Sequence, residues 1–247
     1  MTVAQPSKTL LVLEAGLGLS LFGLVVGYLP VLYQSFADRE QRISLLDVRA
    51  GSPPSAAELI TRQGRSPAKL EEQLSNWERW AANLLETQLS YPMLAYFRSQ
   101  HENQSWLGAL VTIVDASALT MLASSGDLRH QAELTFSMGR HALADMVSVF
   151  RLSPPENHPD RLAPEELQRL RHTLLELDTA LDLSRFPESE LKRLREMHEP
   201  FAIALSGRFL MALPGWLPIR PERDNWLRSS WDRRHTPYTV SDPFQKR

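Results

Sequence analysis

Residues 105–126 read SWLGALVTIVDASALTMLASSG, a run apolar nearly all round a helix, with Asp115 at its middle. Whether this stretch crosses a membrane or fills a core decides the architecture. At about 18 residues it sits at the short limit for a hydrocarbon layer of ~30 Å. A helix that is apolar on every side also suits the centre of a helical protein, and that is the expectation: a buried core helix closed by Gly126.

Hydrophobic spacing on both sides of this run is helical. Upstream, Pro53-Pro54 makes a rigid turn, Ser55 caps a short helix with Glu58 completing a capping box, and Gly64 ends it. Pro67 opens a long segment in which Leu70, Leu74, Trp77, Ala81, Leu84 and Leu85 recur at helical intervals, and Pro92 kinks or restarts it. Downstream, LRHQAELTFSMGRHALADMVSVF (128–150) carries Leu134, Met138, His141, Leu143 and Met146 along one broad side. The break RLSPPENHPDRLAP separates it from a helix opened by Pro164 and reaching about Leu181. Pro187-Glu188 opens another, bent at Pro200 and running to about Leu213. No alternating β pattern of useful length competes, so the predicted class is all-α.

The second long apolar run lies at residues 9–37, TLLVLEAGLGLSLFGLVVGYLPVLYQSFA, where Glu14 is the one charge between Lys8 and Asp38. The uncharged residues from Ala15 to Ala37 are enough to cross a bilayer as one helix. A signal peptide fits less well: the basic n-region is reduced to Lys8, the apolar run is too long, and Tyr28, Pro30 and Tyr33 interrupt it. Arg39, Arg42 and Arg49 follow the span while Lys8 alone precedes it, which places the body on the cytoplasmic side of an inner membrane. The expected organisation is a flank at 1–8, a transmembrane helix at 9–37, a cytoplasmic helical domain at 38–213 and a basic tail at 214–247.

Composition narrows function by exclusion. The 247 residues contain no cysteine, so disulfides, thiolate metal sites and a cysteine nucleophile are all ruled out. A net charge of −2 argues against a nucleic-acid footprint over the whole domain. The tail from Pro214 holds seven Lys or Arg against four acids, with Trp216, Trp226 and Trp231 among them. Its prolines prevent one continuous amphipathic helix, so the indoles are expected to dock on the helical body.

The densest polar cluster is YFRSQHENQSW, with Arg98, Gln100, His101, Glu102 and Gln104. His101 beside Glu102 suggests acid–base work, but neighbours on a helix diverge by about 100° and do not face each other. A polar junction between helices is the expected role. His141 and Asp145, one turn apart, offer two metal ligands and no third. His-Glu-x-x-His, Gly-x-Ser-x-Gly, P-loop and dinucleotide fingerprints are absent from the sequence. The expectation is no enzyme, no metal and no cofactor.

Within the apolar run, Gly16 and Gly18, then Gly23 and Gly27 four apart, let a neighbouring helix approach closely. Glu14 is costly in lipid unless it lies near the interface or faces a bundle interior. Residues 9–59 and 77–110, above all LLDVRAGSPP (45–54) and FRSQHENQSW (97–106), resemble bacterial proteins of the two-transmembrane potassium-channel family. The resemblance implies that 9–37 is the inner pore-lining helix with Gly16 or Gly18 as gating hinge, that the remainder is its cytoplasmic extension, and that subunits form a homotetramer. A potassium filter needs a Thr-x-Gly-Tyr-Gly loop with free carbonyls, and Val26-Gly27-Tyr28 followed by Leu29-Pro30 imitates only its middle. The first membrane helix, pore helix and filter are expected before residue 1. The chain is therefore expected to contact the bilayer, to meet potassium only through a filter outside itself, and to bind no nucleic acid. The alternatives are a membrane-anchored cytoplasmic interaction or regulatory protein, and a tethered all-α enzyme built on the Arg98–Gln104 cluster.

Overall fold

A computed structural model describes residues 5–101, 103–176, 181–182 and 187–218. Among these the secondary structure is helical, without strands, as the apolar spacing predicts. Eight α-helices follow in order among the described residues: α1 (Gln5–Ala50), α2 (Ala56–Gln63), α3 (Pro67–Ser90), α4 (Trp106–Ala123), α5 (Gly126–Val149), α6 (Pro164–Leu175), α7 (Glu188–Glu196) and α8 (Glu199–Phe209). A 3-10 turn, Pro92–Tyr96, links α3 to α4.

The two apolar runs part company in the fold. α4 is the core helix, buried from Trp106 through Thr120, with α5, α2, α7, α8, α1 and α3 packed around it. α1 is apolar and long enough to cross a membrane, and every residue from Lys8 to Val31 is exposed. It continues unbroken through Pro30. From Leu32 onward one face turns inward, with Leu32, Arg39, Glu40, Ile43, Leu46, Asp47 and Ala50 buried at helical spacing.

Capping explains several boundaries. The Ser55 hydroxyl accepts from the Glu58 N–H at 3.3 Å, but Glu58 turns to Arg62 at 2.7 Å, so only half of the predicted capping box forms. Ser105 accepts from the Gly108 N–H at 2.8 Å and starts α4. Gly126 does not close α4, as predicted; it opens α5 with φ +64°, a conformation that favours glycine. Pro92 restarts the chain as the 3-10 turn after α3 ends at Ser90. α6 ends at Leu175, short of the expected Leu181. The expected bend at Pro200 is a break at Met197–His198, because Pro200 sits in the first turn of α8, where its missing N–H is not needed.

The face of α5 also differs from expectation. Leu134 is 41% exposed and His141 points outward, while Leu128, Ala132, Thr135, Phe136, Gly139, Ala142, Leu143, Met146 and Val147 face the core. Small residues set this face: a Cβ at Gly139 would lie 2.5 Å from Val114 Cγ2, so the α4–α5 approach depends on its absence. The tail begins as predicted, with Trp216 fully packed on the body and its carbonyl accepting from the Ala57 N–H at 3.1 Å. Trp226 and Trp231 lie outside the described residues.

Candidate functional site

The polar cluster singled out in the sequence lies against α1. Pro92 ends α3, so the chain reverses through the 3-10 turn and descends alongside α1 through residues 97–101 and 103–104 before Ser105 caps α4. Arg39 on α1 donates to the Leu94 carbonyl at 2.7 Å and the Phe97 carbonyl at 2.8 Å, and its guanidinium pairs with Glu40 at 3.1 Å. Burial pulls the Arg39 guanidinium below its ordinary pKa, against the Glu40 carboxylate, which raises it. Glu40 also accepts from the Ser99 hydroxyl at 3.2 Å and the Gln100 N–H at 3.4 Å, and two turns on Gln104 donates its amide to Asp47. One polar face of α1 is thus gripped at two levels.

These contacts decide the role of each predicted residue. Gln100 and Gln104 hold α1. Arg98 reaches the other way, to the Leu210 carbonyl at 3.0 Å behind α8. His101 is exposed, and Glu102 lies outside the described residues. Aromatic contacts extend the grip upward, with Phe36 edge-on to Phe97 at 6.1 Å and Tyr28 edge-on to Tyr91 at 5.4 Å. Beside the loop, a cavity of about 510 Å³ opens between Pro53-Pro54, residues 98–101 and 103–105, and residues 211–215. On α1 itself, a Cβ at Gly16, Gly18, Gly23 or Gly27 would meet no atom beyond its own helical turn within 4 Å, so nothing else in the described chain occupies these positions.

A second cluster, buried beneath the clamp, was not identified from sequence. Asp115, mid-way along α4, meets Arg161 at 2.7 Å and His198 Nε2 at 2.8 Å. Arg161 also bonds Glu199 at 3.1 Å and the Pro214 carbonyl at 2.8 Å. Arg195 forms a two-pronged contact with Glu199, at 3.0 and 3.1 Å, and pairs with Asp160. The two nitrogens of His198 face the Leu194 carbonyl at 3.0 Å and the Asp115 carboxylate at 2.8 Å, which fixes the ring between α4 and the α7–α8 corner. Burial works to raise the Asp115 pKa, but the Arg161 charge and the His198 hydrogen bond together hold it below the usual carboxylate range. Burial likewise opposes the Arg195 charge, yet its carboxylate partners lift its pKa above the ordinary value.

Donor atoms of Asp115, His198 and Glu199 lie within 4.8 Å of one another, a spacing that fits a metal ion. The Arg161 guanidinium already bridges both carboxylates, so a divalent ion there would meet a fixed positive charge. The arrangement ties α4, the α7–α8 corner, the segment before α6 and the start of the tail into one unit. His141 and Asp145 form an exposed pair at 3.3 Å on α5. Comparison with protein-family models, with curated proteins and with solved structures finds no match.

Proposed function

We propose that this chain is the inner helix and cytoplasmic regulatory domain of a homotetrameric potassium-channel subunit in the inner membrane. The observation that carries the reading is mechanical continuity: α1 runs as one helix from its exposed apolar half into the domain, where Arg39, Glu40 and Asp47 are held by Leu94, Phe97, Ser99, Gln100 and Gln104. A displacement of the domain turns or tilts the membrane half with it. The unoccupied glycine face supports packing against other helices, and Gly16 or Gly18 supplies the point at which the helix bends. The filter belongs to other residues. Val26-Gly27-Tyr28 lies within α1, whose carbonyls are engaged along the helix, so it has no free oxygens with which to replace the water shell of an ion.

The test is potassium uptake in a bacterium that lacks its own uptake systems. The reading expects no rescue at low external potassium from residues 1–247 alone. It expects rescue when coding DNA lying in frame before the Met1 codon, encoding a Thr-x-Gly-Tyr-Gly or Thr-x-Gly-Phe-Gly loop, is included. An in-frame stop with no filter upstream would instead leave a membrane-anchored regulatory protein. Selective potassium flux from residues 1–247 alone would defeat both readings.

A further inference from the structure

We infer that the tip of the helical domain formed by Leu89, Tyr91 and Met93 rests in the headgroup layer of the same bilayer that α1 crosses. The inference takes the crossing by α1 from the proposed function and none of its channel assignment. The sequence between Glu86 and Arg98 carries no charge; at the end of α3 and in the 3-10 turn it buries Gln88, Leu94 and Ala95 and leaves Leu89 and Met93 outside. Leu89 is 38% exposed and Met93 57%, apolar side chains that a domain surrounded by water gains nothing by showing.

The direction of α3 brings this tip to the membrane. Arg42, Leu45 and Arg49 of α1 face Gln73, Asn76 and Trp77 of α3 across a small cleft, whereas higher on α1 Tyr28 meets Tyr91. α3 therefore runs antiparallel to α1, and its C-terminal end rises beside the apolar half. The depth follows from helix geometry. Lys8 stands 20 residues before Tyr28, which at 1.5 Å per residue is about 30 Å, the thickness of the hydrocarbon core. With Lys8 at one boundary, Tyr28 and its partner Tyr91 fall at the other, where tyrosines concentrate because the ring is apolar and the hydroxyl is wet. The occupant that fits is thus the lipid interface: it is apolar toward Met93 and Leu89, takes the Tyr28–Tyr91 pair at its boundary, and is continuous with the surface that α1 already needs covered. In this register Glu14 lies about 9 Å inside the boundary at Lys8, so its carboxylate faces a protein or aqueous interior rather than acyl chains.

The chain has no cysteine, so single reporters are clean. Met93→Cys and, separately, Leu89→Cys carry an environment-sensitive fluorophore in the full chain, reconstituted in phosphatidylcholine–phosphatidylglycerol vesicles with or without headgroup-nitroxide lipid. Lys69→Cys, exposed near the opposite end of α3 and about 30 Å from Leu89 along the helix, is the reference. Leu21→Cys with acyl-chain nitroxide reports whether α1 crosses at all. The expected result is loss of most fluorescence at residues 93 and 89, and none at 69. Quenching at 21 with residues 93 and 89 as bright as 69 would overturn the inference while leaving the span intact. Disulfide-linked dimers of the unlabelled Met93→Cys chain, without quenching of its labelled form, would do the same, giving that face to a second copy. No quenching at 21 would remove both the crossing and the inference.

Discussion

α1 and α4 are both apolar enough to cross a membrane, yet one is bare over the stretch that qualifies and the other is nine-tenths covered. They even treat hydroxyls alike, Ser20 bonding the Gly16 carbonyl at 2.7 Å and Ser117 the Ile113 carbonyl at 2.8 Å. Their acids part them. Asp115 is enclosed by Arg161 and His198, which the fold brings from 46 and 83 residues away, whereas Glu14 sits on an exposed stretch. Hydropathy measures what a helix avoids, and the partners of its one charge show where it lives. The lower half of α1 repeats this lesson inside one helix, since its buried polar residues each meet the domain.

The sharpest break of the comparison cuts α1 between its two environments. A chain of residues 35–247 keeps Arg39, Ile43, Leu46 and Ala50 and is expected to be soluble without detergent and strongly helical by circular dichroism. Cutting at Gly51 instead removes the fully buried Ile43 and Leu46, worth about 1.5–3 kcal/mol each. The Arg39 clamp goes with them. Against a total of about 5–15 kcal/mol, the shorter chain should be largely unfolded or aggregated. Equal urea midpoints for the two fragments would show that the lower half of α1 belongs with the membrane, not with the domain.

Next in size is the acid of α4. Asp115→Ala leaves Arg161 and His198 facing a gap at the centre of the domain, and removing one partner of a buried pair costs about 3–5 kcal/mol. Urea melts of residues 35–247 measure it. The pH dependence has a fixed sign: the folded pKa of Asp115 is lowered, so its contribution is complete well above the unfolded value of about 3.9 and is lost as pH falls through the folded pKa. The wild-type fragment should therefore weaken on acidification from about pH 4 downward more steeply than Asp115→Asn. Parallel slopes would mean that Asp115 is not ionised in the fold.

These two regions also mark what the sequence discloses. Class and helix positions are legible because Leu70, Leu74, Trp77, Ala81, Leu84 and Leu85 repeat at the spacing of one face, and all are buried. The face of α5 is not, since Ala132, Gly139 and Ala142 carry little hydrophobic signal and derive their place from the closeness of α4. Gln100 and Gln104 stand out as polar, but their partners Glu40 and Asp47 read as an ordinary charged flank until α1 is seen to run on into the domain. The buried cluster left one trace, an aspartate in the middle of an apolar helix. Its partners, Arg161 in a loop and Arg195 with His198 near a helix break, follow no period that connects them to it.

The smallest expected effect sets one substitution on both helical surroundings. Gly139→Ala puts a methyl 2.5 Å from Val114 Cγ2 across the α4–α5 contact. Such overpacking costs about 1–3 kcal/mol, and alanine returns up to about 1 kcal/mol through helix propensity. The net is a modest loss of stability, visible as a lowered urea midpoint with an unchanged slope. Gly23→Ala meets nothing within 4 Å, so in the full chain the domain should melt as the wild type does, and only association of α1 with another helix can register it. Cross-linking in vesicles separates the cases. Weaker oligomers from Gly23→Ala with an unchanged domain melt would place a helix against that face. A Gly139→Ala domain as stable as wild type would mean that α4 and α5 can move apart at no cost, and that their close approach does not set the phase of α5.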